Sequence, residues 1–283
     1  MQSFWIAILI AAAAAAPRES PPPPALGPVL GPGLDYADTA DLALAAPVEA
    51  HVRVVEAIRL KDAQAADVRP GFFRFYVQAD MVALIRASQP LPARIAYVVD
   101  LPAGPGGKPP RIVKGSDELI FAAPVPEHPG ELRLIAPDAA HPWSPAGEAR
   151  LRAVLREALS PSPPPIITGV GRAFHVAGSL PGEGETQIFL TTADGRPVSL
   201  SILRRPGETP RWSVALSEIV DEAAAPPARD TLLWYRLACF LPRDLAADSV
   251  PEGTSDTDAA AIRADYRLVL DGLGSCGRER RPG

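Results

Sequence analysis

From Val48 onward the apolar residues follow two different periods, and the change between them divides the chain. His51-Val52-Arg53-Val54 alternates within residues 48–60. Phe72-Phe73-Arg74-Phe75-Tyr76-Val77 is aromatic and branched. Residues 93–101 hold Ile95, Tyr97, Val98 and Val99, and residues 118–125 and 131–136 add two further runs. Each run is short and rich in strand-forming types, and Pro/Gly-rich joints at 102–110 and 124–130 separate the later ones. Five such strands predict a small antiparallel barrel or sandwich over residues 45–142. A five-stranded oligonucleotide/oligosaccharide-binding-type barrel is one candidate. A fold of this kind implies no function by itself.

His141-Pro142-Trp143-Ser144-Pro145 marks a boundary. Ser144 suits a helix cap and Pro145 the first helical position. Leu151, Val154, Leu155 and Leu159 then recur at helical spacing, and prolines at 161 and 163–165 end that helix. Residues 187–192 and 198–203 read as a β-hairpin around Asp194-Gly195, a dipeptide that supports the positive φ of tight turns. Val198, Leu200 and Ile202 share one face, with Ser199 and Ser201 on the other. Residues 211–216 supply the next strand of a meander, with Trp212, Val214 and Leu216 inward. Asp230 is placed to cap a buried helix over 231–241, which Pro242 stops. A last helix over 258–270 turns Ile262, Tyr266 and Val269 inward, with Gly272 at its end. The second unit, residues 143–276, is therefore α+β: a β-meander with two to three packed helices.

The N-terminus changes the picture from fold to compartment. Residues 4–16 run Phe-Trp-Ile-Ala-Ile-Leu-Ile and then six alanines, without a charge. A bilayer span takes ~20 residues, so this run is too short for one. It has the length and the small-residue end of a secretory signal over residues 1–16. Pro17 disfavours cleavage directly after Ala16, which moves the expected cut to Ala14 or Ala15. Residues 17–44 read as a Pro/Gly/Ala-rich linker, and residues 277–283 as a disordered tail. The protein is expected to be periplasmic or secreted, with no stable membrane span once the signal is removed. In an oxidising compartment the two cysteines, Cys239 and Cys276, read as a disulfide tying the C-terminal segment to a buried helix. In composition and leader the chain resembles exported proteins of high-GC bacteria. Its net charge of −5 argues against nucleic acid as a partner, since that needs a basic footprint.

Motif chemistry is sparse. His51, His128, His141 and His175 are scattered, and none stands at ligand spacing with another His, Cys or carboxylate, so no metal site is readable. His175, in a Gly-bearing strand beside Arg172, is the candidate general base. Gly169, Gly171 and Gly178 do not fit Gly-x-Gly-x-x-Gly. No Gly-x-Ser-x-Gly elbow and no Ser-x-x-Lys occurs. Glu183 and Glu185 fall short of the six or more oxygens Ca²⁺ requires. Arg204, Arg205 and Arg211 cluster at one hairpin end, as a solvated turn or as a contact for an anionic group or acidic partner. No cofactor signature is present. The residues point to a non-enzymatic, exported cell-envelope module that interacts with another envelope protein. The alternatives are a hydrolase with a site assembled from dispersed residues, His175 among them, and a small-molecule-binding module. The export reading has a direct check: intact mass of the protein from its own host should lack the first 14 or 15 residues, and a full-length chain would overturn it.

Overall fold

A computed structural model describes residues 34–216 and 225–279. The expected signal, residues 1–16, and the first part of the expected linker lie outside them.

The first unit is a closed barrel. β1 (Val48–Arg59), β2 (Phe72–Arg86), β3 (Arg94–Pro102), β4 (Asp117–Pro124) and β5 (Glu131–Leu134) run in the order β1-β2-β3-β5-β4, and a β1–β4 pairing closes the ring. β6 (Ala140–Pro142) pairs with Glu118–Ile120 of β4, along the same edge that β5 takes at Ala122–Pro124. The five-stranded closure is that of the expected barrel. The expectation of an all-antiparallel sheet needs one correction, because β3 and β5 pair in parallel at Ala96↔Glu131 and Tyr97↔Leu132. The chain leaves β3, forms β4 against β1, and returns β5 into the gap between β3 and β4.

β1 is paired along both edges over its first half, so its register decides what lies inside. Val48, Ala50 and Val52 face inward beside Ala122, Ile120 and Glu118 of β4. Glu49, His51 and Arg53 face outward beside Phe121, Leu119 and Asp117. Shifts in the β1–β2 register at three places let the strand curve around the ring. The interior is otherwise apolar, with Phe75, Val77, Ile95, Val99, Leu101 and Leu132. Glu118 is the exception. Its carboxylate accepts a hydrogen bond from the Tyr97 hydroxyl at 2.6 Å, both side chains being buried.

Most of the outward row of β1 and β4 is also buried, because two helices cover it, and Arg53 at the end of the row stays exposed. α1 (Tyr36–Ala45) starts at Asp35, whose side chain accepts from the Asp38 N–H. Residues 36–44, read as part of a linker, thus form a helix of the core. Alanines hid it: Ala37, Ala40 and Ala43 are fully buried. Arg86 of β2 fastens it, donating to Glu49 (Nε to Oε2 2.7 Å) and to the carbonyls of Ala43 and Ala46 at the helix end. α2 (Pro145–Ala158) begins as expected, with Ser144 accepting from the Gly147 N–H and Pro145 in the first turn.

The second unit is an antiparallel sheet of four strands in the order β10-β9-β8-β7: β7 (Ile167–Ala177), β8 (Gly184–Thr192), β9 (Val198–Arg204) and β10 (Arg211–Ala215). The hairpin forms where Asp-Gly placed it, with Leu190 opposite Val198 and Gly195 at φ 75°. The meander gains β7 as a fourth strand. α3 (Leu232–Ala238) is shorter than expected and is capped by Thr231, not Asp230. α4 (Asp256–Leu273) lies across one face of the sheet, with Ile262, Tyr266 and Val269 buried. It runs beyond Gly272, which does not end it. A Cβ at Gly272 would sit 2.6 Å from Trp212 Nε1, so glycine is what lets helix and sheet approach there. Leu216, expected inward, is exposed.

The two units share one core. Glu157 of α2 accepts from the Leu232 N–H, and Trp234 Nε1 donates to the Leu273 carbonyl. The Cys239–Cys276 disulfide forms as expected and closes a loop with a separation of 37 residues. Such a loop contributes on the order of 3–4 kcal/mol in the chain-entropy picture. Residues 277–279, expected to be disordered, are bonded to α1.

Burial pushes the Glu118 carboxyl up to about 7, against the smaller effect of the Tyr97 hydrogen bond. A raised carboxyl favours the folded state fully below its unfolded value of about 4.5, and that contribution is lost as pH rises through 7. Burial acts on Glu49 with the same sign and also takes it to about 7. Glu118→Gln should therefore leave stability near pH 4 almost unchanged and raise it at pH 8, by on the order of 3 kcal/mol at most. Denaturant titrations of both proteins at the two pH values measure this; an equal gap at both would refute it.

Candidate functional site

The strongest polar cluster of the second unit joins two residues that sequence reasoning had treated separately. His175 (β7) and Thr186 (β8) are register partners, and His175 Nδ1 lies 2.8 Å from Thr186 Oγ1. The same hydroxyl donates to Asp265 Oδ2 of α4 at 2.5 Å. Arg204, at the end of β9, donates through Nε to Asp265 Oδ1 at 2.6 Å. Thr186 and Asp265 are fully buried, while His175 and Arg204 reach the surface. Arg204 is thus the partner of a buried carboxylate and not part of a solvated turn. Arg205 and Arg211 do stay exposed at the hairpin end, and Arg211 lies 3.7 Å from Glu208.

The geometry selects a tautomer. Asp265 is paired with the Arg204 guanidinium and accepts the one proton of the Thr186 hydroxyl. Thr186 Oγ1 can then only accept from His175, which places the imidazole proton on Nδ1 and leaves Nε2 as the basic nitrogen. This is an orienting arrangement for a base. Nothing in it supplies a nucleophile. Among the described residues no group of three His, Cys, Asp or Glu is placed to hold a metal ion. The acidic pair 183 and 185 diverges: Glu183 accepts from the Leu180 N–H, and Glu185 from Gln187 and Ser201.

A second cluster was not foreseen. His51 is buried on the outer face of β1 and stacks on Trp143, with ring centroids 4.5 Å apart and planes 8° from parallel. Its Nε2 lies 3.4 Å from Asp117 and its Nδ1 3.8 Å from Glu148. Arg53 donates to both oxygens of Asp117, and Trp143 Nε1 and Arg152 donate to Glu148. Burial alone would raise the Asp117 carboxyl, but Arg53 and His51 outweigh it and hold it low. The Trp143 hydrogen bond, foremost, holds Glu148 low as well. Both nitrogens of His51 face carboxylates, Nε2 being buried without a hydrogen bond, so this histidine stands between α2 and the barrel.

Two surface features complete the picture. The short β3–β5 pairing lets these strands separate below Tyr97, which opens a shallow groove of about 510 Å³ floored by Tyr76, Val98 and Ile135 and flanked by Arg133. On the meander, α4 covers one face only. Phe174, Val176, Phe189 and Leu203 project from the other, all exposed, and the two phenylalanines meet edge to face at 6.2 Å.

Compared by sequence, the chain matches no family model and no curated protein.

Thr186→Val keeps the volume and removes the hydroxyl that fixes His175. Long-range ¹⁵N–¹H NMR of the imidazole should show a single Nδ1–H tautomer in the native chain and a mixture in the variant. The variant should also lose about 1–3 kcal/mol, because Asp265 loses a buried donor. Identical imidazole shifts in the two proteins would rule the relay out.

Proposed function

We propose that this chain is an exported accessory protein of the cell envelope, periplasmic or secreted, that works by binding another polypeptide and not by catalysis. The observation that carries this reading is the outer face of the meander sheet. Phe174 and Val176 on β7, Phe189 on β8 and Leu203 on β9 lie on one side, with Gln187, Ser201 and Ser213 between or beside them. An exposed apolar patch with polar neighbours is the composition of a protein contact surface. The uncharged leader and the disulfide support an oxidising destination. Among the described residues no helix is long and apolar enough to cross a membrane.

The test is a photo-crosslinking residue placed at Phe189 in the native host, with the exposed Arg111 as control position. A discrete adduct from position 189, lost when Phe174→Asp is added, is the expected result. Equal labelling from both positions, or none, would refute the docking face. The bare Nε2 of His175 favours hydrolysis as a second reading. Turnover of an ester, glycoside or phosphate substrate that His175→Ala abolishes would establish it in place of the first.

A further inference from the structure

The C-terminal tail shows what another surface of this molecule recognises. Arg278 makes a two-pronged pair with Asp41 of α1: Nε to Oδ2 at 2.6 Å and an NH₂ nitrogen to Oδ1 at 2.9 Å. The Tyr235 hydroxyl donates to the same carboxylate. The guanidinium carbon lies 5.4 Å from the centre of the Phe240 ring and 6.0 Å from that of Tyr235, two rings that themselves meet edge to face. One residue further on, the Glu279 N–H donates to Asp38 Oδ2 at 3.3 Å. A carboxylate presented as a fork, two aromatic walls and an acceptor for the next peptide N–H together read an arginine and the backbone that follows it.

Anchoring the tail does not require this slot. The Cys239–Cys276 disulfide already fixes the chain two residues before Arg278. The slot adds selectivity for a planar cation, which a point charge such as lysine does not match.

We propose that this slot is a binding site for an arginine-bearing peptide segment of a partner protein, and that Arg278 occupies it in cis. The inference rests on the reading of the chain as a polypeptide-binding module and gives that module a second contact, apart from the meander face. The tether makes the tail an intramolecular competitor, at an effective concentration on the order of millimolar. A partner therefore gains the slot by outcompeting the tail or by binding after the tail is removed.

The probe is a fluorescent peptide with the sequence of residues 277–283, Gly-Arg-Glu-Arg-Arg-Pro-Gly, titrated by anisotropy into the full-length oxidised chain. Arg278→Ala vacates the slot and should bind the peptide saturably, at least about tenfold tighter than the unaltered chain does. Adding Asp41→Asn, or replacing the arginine at the second position of the peptide with glutamine, should abolish that binding. An Arg278→Ala protein that keeps its disulfide and a cooperative melt yet binds no peptide would overturn the proposal, leaving a purely structural clasp. So would binding that survives Asp41→Asn. Should Arg278→Ala fail to fold, Arg278→Lys weakens the cis contact while keeping its charge, and the same comparisons then decide. Crosslinking at position 189 does not involve the slot, so an adduct there alongside failure here refutes the slot alone.

Discussion

β1 has to pair along both of its edges for the barrel to close, and much of the molecule answers to that demand. A strand in that position alternates its side chains between an enclosed interior and an outer face. Here the outer face carries Glu49, His51 and Arg53. Closing the ring brings these polar groups together with Asp117 of β4, and covering the ring with α1 and α2 buries Glu49 and His51, while Arg53 stays exposed. Each then needs a partner. Arg86 meets Glu49 and at the same time satisfies the carbonyls at the end of α1. Asp117 and Glu148 flank His51, and Trp143 closes over its ring. The polar groups of one strand thereby specify where both helices dock.

The second unit repeats this logic with a single charge. Asp265 belongs to the same apolar stripe of α4 as Ile262, Tyr266 and Val269. A carboxylate in that place is costly unless it is fully bonded. Arg204 and Thr186 supply the bonds from β9 and β8, which sets α4 over the meander in one register, and Gly272 allows the approach. The helix covers one face of the sheet and leaves the other bare. That asymmetry makes Phe174 and Phe189 surface residues, although their types are those of a core.

Local chemistry made a good part of the fold legible. The strand runs, the Ser144-Pro145 helix start, the Asp194-Gly195 hairpin and the Cys239–Cys276 bridge all depend on neighbouring residues or on a single possible pairing. What was missed follows a pattern. α1 is built on alanine, whose weak hydropathy resembles a linker when proline and glycine precede it. The parallel β3–β5 contact joins segments with a whole strand between them, and no local signal records that order. Residues 277–279 look like a tail until Asp38 and Asp41 are placed beside them.

The candidate sites divide along the same line. His175 and Arg204 stood out by type, but their connection runs through Asp265, 61 residues beyond Arg204. A carboxylate at a helix's apolar spacing was the one sequence signal that could have located it. The amino-acid order alone determined the short-range features: periodicity, caps, turns, the net charge and the leader-like run. Tertiary structure decided which polar groups meet, which sheet face stays open and what the tail touches. Those outcomes depend on burial and on pairing across long loops, and the free energy of such contacts exists only once both partners are in place.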